Sequence, residues 1–124
     1  ALEPLLAAHK VDLAFWGHIH YAQRSCPMVN ATCVTKKDAA GYDAPIHAII
    51  GNAGQSLTAF PPANETAKWS VYQGAEWGFS HLTVHNATHM TWTQVANKDS
   101  SVLEELTVTQ HHHGPFPIPT ATRE

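Results

Sequence analysis

The stretch that most constrains this chain is Val11-Asp-Leu-Ala-Phe-Trp16, which stops at Gly17 and runs straight into His18-Ile19-His20. An apolar run this short, bounded by glycine, is too brief for a buried helix and reads as a buried strand. A second run of the same kind, Pro45-Ile-His-Ala-Ile-Ile50, is closed by Gly51-Asn-Ala-Gly54. Strands that are apolar without alternation belong to α/β proteins, where parallel strands are covered on both faces. In such sheets ligands bind beyond the carboxyl ends of the strands. His18 and His20 fall at that position, after a glycine that permits a sharp turn. Neutral imidazole suits zinc, iron, copper or nickel. Paired histidines also arise by chance on loops. The apolar strand before them, and Arg24 and Cys26 just after, favour the ligand reading.

Composition narrows the classes. Hydrophobic residues make up 44% of the 124 and charged residues 14%, which is globular rather than disordered. That length carries one domain with a modest core. The formal net charge of -3 and the lack of basic clusters exclude a nucleic-acid footprint. No apolar run approaches the roughly 20 residues of a membrane helix. Neither a signal peptide nor an initiator methionine opens the chain, which predicts a fragment or processed piece. Cys26 and Cys33 frame Pro-Met-Val-Asn-Ala-Thr, and Asn30, Asn64 and Asn86 each begin an Asn-x-Ser/Thr glycosylation acceptor. Together they predict a disulfide in an oxidising compartment, hence a secreted, extracellular, vacuolar or lysosomal protein. The cysteine spacing does not match a zinc knuckle.

Taken in order, residues 1–10 read as a helix, with Leu2, Leu5 and Leu6 at helical spacing and Pro4 in the first turn. Residues 25–42 form a long polar excursion, pinned by the cysteine bridge and carrying surface lysines. Within the second strand, His47 alternates with aliphatics and reads as a core or supporting histidine. Gly51 and Gly54 frame a strand-exit turn; turning its amides toward a phosphate is the alternative. Residues 55–73 read as a surface loop in which Trp69 and Tyr72 anchor to the body. An antiparallel meander follows. Leu82 and Val84 share one face and His81 and His85 the other; Met90 and Trp92 share a face of the following strand, and Val102, Leu106 and Val108 supply a further buried face. His81, His85 and His89 form either an exposed polar face or an adventitious metal cluster. Residues 111–124, opening with His111-His-His113 and rich in proline, predict a poorly ordered tail after a domain spanning 1–110.

Trp16-Gly-His-Ile-His-Tyr-Ala-Gln-Arg-Ser-Cys-Pro27 resembles the last metal-binding motif of the purple acid phosphatases, within the calcineurin-like metallophosphoesterases. That motif runs Gly-His-Val-His-x-Tyr-Glu-Arg, often followed by Thr/Ser-Cys-Pro. Gly17, His18, His20 and Arg24 match it, whereas the family's tyrosine falls on Ala22 and its glutamate on Gln23. Ala1 to Leu6 resembles the preceding helix, Pro45 to Gly54 the family's Pro-x-His-x-x-x-Gly-x-x-Gly segment, and Glu76-Trp-Gly-Phe79 the start of its closing strands. The resemblance implies the C-terminal fragment of an α/β/β/α sandwich, here β-rich with an N-terminal helix and a closing antiparallel meander. It implies a binuclear centre, Fe(III) with Zn(II), Mn(II) or Fe(II), in which His18 holds the divalent ion and His20 the ferric ion. Phosphate monoesters are then hydrolysed by attack of metal-bound hydroxide.

Arg24 and His47 take supporting roles in that reading. Arg24 holds the loop through a charge-assisted hydrogen bond, although Gln23 removes its neighbouring carboxylate. The aspartates, asparagine, further histidine and iron-bound tyrosine of the family's earlier motifs are absent from this sequence. No catalytic residue beyond the metal ligands is therefore expected, and the fragment alone is expected to be inactive, the full-length parent being the enzyme. Its partners are small phosphate esters and the rest of the parent domain, with no nucleic acid or membrane; a homodimer is left open. Two other readings stand beside it: a binding module of the same fold that has lost its metals, and a glycosylated β-rich interaction domain.

Overall fold

The computed structural model describes residues 2–34, 37–38, 41–42 and 44–110. In chain order it contains α1 (Glu3–Ala8), β1 (Leu13–Trp16), β2 (Ala22–Ser25), β3 (Met28–Val29), β4 (Thr32–Cys33), β5 (Lys37–Asp38), β6 (Gly41–Tyr42), β7 (Ile46–Ile50), a 3-10 turn (Ala63–Glu65), β8 (Ser70–Gly74), β9 (Gly78–Val84), β10 (His89–Ala96) and β11 (Val102–Thr109). The two apolar runs of the sequence become β1 and β7, and they pair in parallel. The sheet continues antiparallel, in the order β1-β7-β2-β8, so it is mixed.

β2 and β8 are the elements that the sequence hides. Ala22-Gln-Arg-Ser25 has no apolar signal, yet Ala22, Gln23 and Ser25 are buried in the middle of the sheet. The buried polar side chains are satisfied: Gln23 Nε2 donates to Ser70 Oγ at 2.8 Å, and Ser25 Oγ accepts from the His47 backbone amide at 2.9 Å. Pairing, not hydrophobicity, makes this strand. β8 lies inside the stretch expected to be a surface loop. It is an edge strand, with Tyr72 turned inward and Val71 exposed.

The register lines up Phe15, Ala48, Arg24 and Tyr72 in one row across the four strands. This row faces the second sheet, ordered β11-β10-β9, whose centre is Trp92 with 0% exposure. The Phe15 and Tyr72 rings meet Trp92 at centroid distances of 6.3 and 6.5 Å, the latter edge-on. Tilted and edge-on pairs of this kind suit aromatic quadrupoles. Val108 and Ala96 complete the buried centre between the sheets.

The meander has the expected order, with two departures. Val102 is exposed, because a register shift between Gln94 and Val95 precedes its pairing and places it at the sheet's end. Leu82 and Val84 share a face as expected, yet they are 43% and 69% exposed, since β9 is an edge of the sheet. On the other side, the polar excursion folds into hairpins β3-β4 and β5-β6. Asn30 and Ala31, both at positive φ, make the tight turn of the first hairpin. The Cys26–Cys33 disulfide joins its two arms. The Glu3 carboxylate accepts the Asn30 amide at 2.8 Å and ties α1 to that turn. Residues 111–124, read as a loose tail, lie outside the described residues, and no described helix is long and apolar enough to cross a membrane.

Candidate metal-binding rim

The carboxyl ends of β1 and β7 lie side by side, and the loops leaving them form one rim. The His18–His20 loop is two successive three-residue turns: the Ile19 amide donates to the Gly17 carbonyl and the Tyr21 amide to the Ile19 carbonyl, each at 3.0 Å. The first turn is of the rarer form with left-handed backbone at its centre, where His18 has φ 76. For a side chain with a Cβ this is a strained conformation, and such strain collects at functional sites.

The loop is held from its neighbours. The Gly51 amide donates to the Tyr21 carbonyl at 3.1 Å, and the Thr58 amide to the His20 carbonyl at 2.9 Å. Any Cβ at Gly51 would run into the Ile19 carbonyl oxygen. Phe60 packs against Tyr21, with ring centroids 4.1 Å apart and planes tilted by 31°. The Gly51 amide is thus committed to holding the histidine loop, so the turn at Gly51 is a clamp and not a phosphate cradle.

Asn52, which carried no signal of its own in the sequence, extends that clamp. It is 1% exposed. Its Nδ2 donates to the Glu76 carbonyl at 2.7 Å, and its Oδ1 accepts from Gln94 Nε2 at 3.1 Å. Gln94 Oε1 in turn accepts from Ser80 at 2.6 Å. A fully bonded buried amide pair of this kind fixes one arrangement of its surroundings. Here it locks the exit of β7 to β9 and β10. The only sequence hint was polar residues inside strand-like segments.

Arg24 loses its neighbouring carboxylate at Gln23 but finds another far along the chain. Its Nε donates to Glu104 Oε1 at 2.9 Å, and Nη2 reaches the same oxygen. This pair crosses between the two sheets, from the strand after the histidine loop to β11. His47 lies on the opposite face of its sheet. Trp16 Nε1 donates to His47 Nδ1 at 3.0 Å, which puts the imidazole proton on Nε2. Burial lowers the His47 pKa, against the raising influence of Glu3. Trp16, His18, Gln23, His47 and Trp69 line a cavity of about 370 Å³ on that face.

His18 is exposed and His20 half-buried, and among the described residues neither ring has a hydrogen-bond partner. Two unpaired imidazoles on a rim held by these backbone hydrogen bonds have the donor chemistry for first-row transition metals. Among the described residues, no three histidine, cysteine, aspartate or glutamate side chains gather as a metal site. The histidines of the meander do not cluster either: His85 Nε2 bonds Thr91 Oγ1 at 2.9 Å, His89 Nδ1 bonds Thr88 Oγ1 at 2.8 Å, and His81 sits opposite Thr93. Asn30, Asn64 and Asn86 are all exposed.

Residues 44–105 match the family described as iron/zinc purple acid phosphatase-like protein C. Purple acid phosphatase 18 of Arabidopsis thaliana is 35% identical over 79% of this chain and 21% of its own length. Probable inactive purple acid phosphatase 27 of the same plant is 27% identical over 87% of this chain and 18% of its own. A nucleotide pyrophosphatase/phosphodiesterase of Hordeum vulgare is 28% identical over 87% and 30%. The purple acid phosphatase PPD1 from yellow lupin seeds superposes with a TM-score of 0.80 at 28% identity, over 90% of this chain and 20% of that one. The chain thus spans between 18% and 30% of the lengths of these proteins. With that family match over residues 44–105 and this superposition, the chain belongs to the purple acid phosphatase family, as part of its C-terminal region.

Proposed function

We propose that this chain is the C-terminal part of the catalytic domain of a phosphatase that hydrolyses phosphate monoesters. In this reading His18 gives its imidazole to a divalent ion, Zn(II), Mn(II) or Fe(II), and His20 gives its own to Fe(III). The observation that carries it is the pair of unpartnered rings on a strained turn, clamped by Gly51 and Thr58. When bound, two such ions supply a nucleophile at mild pH and neutralise charge on the phosphoryl oxygens. The chain's own contribution is placement: Gly51, Asn52 and the Arg24–Glu104 pair hold the rim that presents the rings.

Two imidazoles do not make a binuclear site, so the remaining ligands come from elsewhere in the parent and the 124 residues alone are inactive. The disulfide and the exposed Asn30, Asn64 and Asn86 support passage through an oxidising compartment, to the extracellular space, a vacuole or a lysosome. A second reading, a module of the same fold without catalysis, is favoured by relatives that carry the words probable inactive in their names.

The test is metal content and turnover in the full-length protein. His18→Ala and His20→Ala should each lower bound metal and phosphatase activity together, while the isolated chain with iron and zinc supplied turns nothing over. Substantial turnover by the isolated chain, or full metal content in both variants, sinks the assignment. A full-length protein that holds neither metal nor activity supports the non-catalytic module.

A further inference from the structure

The three glycosylation acceptors sit in unlike surroundings. Asn30-Ala31-Thr32 forms the tip of the β3-β4 hairpin and lies between the two bridged cysteines. Asn30 and Ala31 have φ 49 and 55, and the Thr32 hydroxyl donates to the Asn30 carbonyl at 3.3 Å. At Asn86-Ala87-Thr88 the hydroxyl meets the asparagine side chain itself, Thr88 Oγ1 donating to Asn86 Oδ1 at 2.9 Å. Asn64 stands in the 3-10 turn behind Pro61 and Pro62, far in sequence from either cysteine. A glycan-transferring enzyme must engage the carboxamide and the hydroxyl two residues on together. Asn86 offers the pair side by side, whereas in the closed hairpin the Thr32 hydroxyl is turned to the Asn30 backbone.

Little but the bridge holds the Asn30 turn while the chain is being made. Two-residue hairpin turns with left-handed backbone at both positions favour Asn-Gly, and Ala31 stands in the place of that glycine at a steric cost. β3 and β4 have two residues each, and a lone two-stranded hairpin is marginal in water. The bonds that seat the hairpin on the body come from later in the chain: the Cys26 amide donates to the Trp69 carbonyl at 2.9 Å, and the Met28 amide to the Pro45 carbonyl at 3.1 Å. The earlier Glu3 adds one exposed bond, to the Asn30 amide. Until the later segments arrive, the Cys26–Cys33 bond decides whether the acceptor is open or closed.

We infer that Asn30 is a redox-governed glycosylation acceptor: it takes a glycan only while Cys26 and Cys33 are thiols, whereas Asn64 and Asn86 take theirs in either state. This rests on the proposed passage through an oxidising compartment and not on phosphatase activity. In the transfer, Asn30 Nδ2 attacks the anomeric carbon of a sugar carried on a lipid pyrophosphate. The C–N bond forms, the C–O bond breaks with its electron pair leaving on the pyrophosphate, and Nδ2 gives one proton to a base of the enzyme. In the competing step, one cysteine thiolate attacks the disulfide of a thiol oxidoreductase and the other displaces it. Cys26 and Cys33 lose two protons and two electrons, and the oxidoreductase becomes a dithiol. Asn30 is exposed, so the folded hairpin tolerates a glycan already attached, and the contest is one of timing.

The experiment reads occupancy at the three asparagines by peptide mass spectrometry, after enzymatic deglycosylation in heavy-oxygen water. The full-length protein is made in secretory cells and taken from the whole extract, so chains that fail to fold are counted. In the unaltered protein Asn64 and Asn86 should be occupied and Asn30 largely bare. Cys26→Ser with Cys33→Ser should raise Asn30 occupancy several-fold and leave the other two unchanged. Synthesis of the unaltered chain under dithiothreitol should do the same, which separates the loss of the bridge from any effect of serine itself. Asn30 glycan confined to chains with free thiols at the time of transfer, read by pulse labelling with a thiol-blocking maleimide, supports the inference. High Asn30 occupancy that neither treatment changes, a bare Asn30 under all conditions, or equal rises at all three sites overturns it while leaving the secretory reading in place. Glycan at none of the three under any condition removes the secretory reading, and the inference with it.

Discussion

The two sheets of this chain are built in opposite ways. The β9-β10-β11 meander is local: each strand pairs with the next through a short turn, and its buried face follows from simple alternation. The four-stranded sheet is assembled from distant pieces, with β1 beside β7 and β2 beside β8, across hairpins and a long loop. The local sheet supplies the largest buried side chain, Trp92, while the distant one carries the strained histidine turn. The contrast teaches that the sheet with the largest buried side chain and the sheet with the histidine turn are built separately. Among the described residues they are joined by Trp92 with its ring partners, by the Arg24–Glu104 pair and by the bonds of Asn52 to Gln94 and Gly78.

The sharpest way to break the contrast is through Trp92. Trp92→Ala should destabilise the fold by about 3–5 kcal/mol, the usual cost of emptying a large aromatic site, as read by denaturant midpoint. Trp92→Phe should cost much less, because the indole nitrogen is buried with no hydrogen-bond partner among the described residues. If Trp92→Ala costs no more than an exposed substitution, the two sheets do not share a core.

Next in size is the ion pair between the sheets. Arg24 and Glu104 side chains are only 17% and 20% exposed, so the pair is screened less than a surface bridge. A double-mutant cycle with Arg24→Met and Glu104→Gln should give a coupling of about 1–3 kcal/mol. A coupling near zero would mean that Arg24 does not fasten the histidine loop to β11.

The smallest effect is one of pH. His47 is held neutral by burial and accepts the Trp16 N–H at Nδ1, so its folded pKa lies below the ordinary 6.5. The unfolded chain therefore binds the proton first, and stability contributed by neutral His47 is complete above about pH 6.5 and lost as pH falls through the lower folded value. Thermal unfolding of His47→Gln should show a flatter decline below pH 6.5 than the unaltered chain. An unchanged slope would mean that His47 is not the group responsible.

Legibility in the sequence divides along the same line. β1, β7 and the meander are visible because apolar runs and alternation are direct signs of burial. β2 is not, since Ala22, Gln23 and Ser25 are buried through pairing and side-chain hydrogen bonds that exist only after Ser70 and His47 arrive. Arg24 could be suspected of holding the loop, but its partner lies at Glu104, a separation no local pattern reports. Alternation puts Leu82 and Val84 on one face, yet their exposure depends on the edge position of β9, which alternation does not encode. Asn52 reads in the sequence as one residue of a turn, and its importance appears only in three dimensions.

The left-handed backbone of His18 makes the fold and the chemistry want different residues at one position. Glycine would relax the turn by about 1–2 kcal/mol while deleting the ring. On the metal-ligand reading proposed above, the ring at residue 18 is kept at the expense of the turn, and a chain of this fold without metal would gain by the exchange.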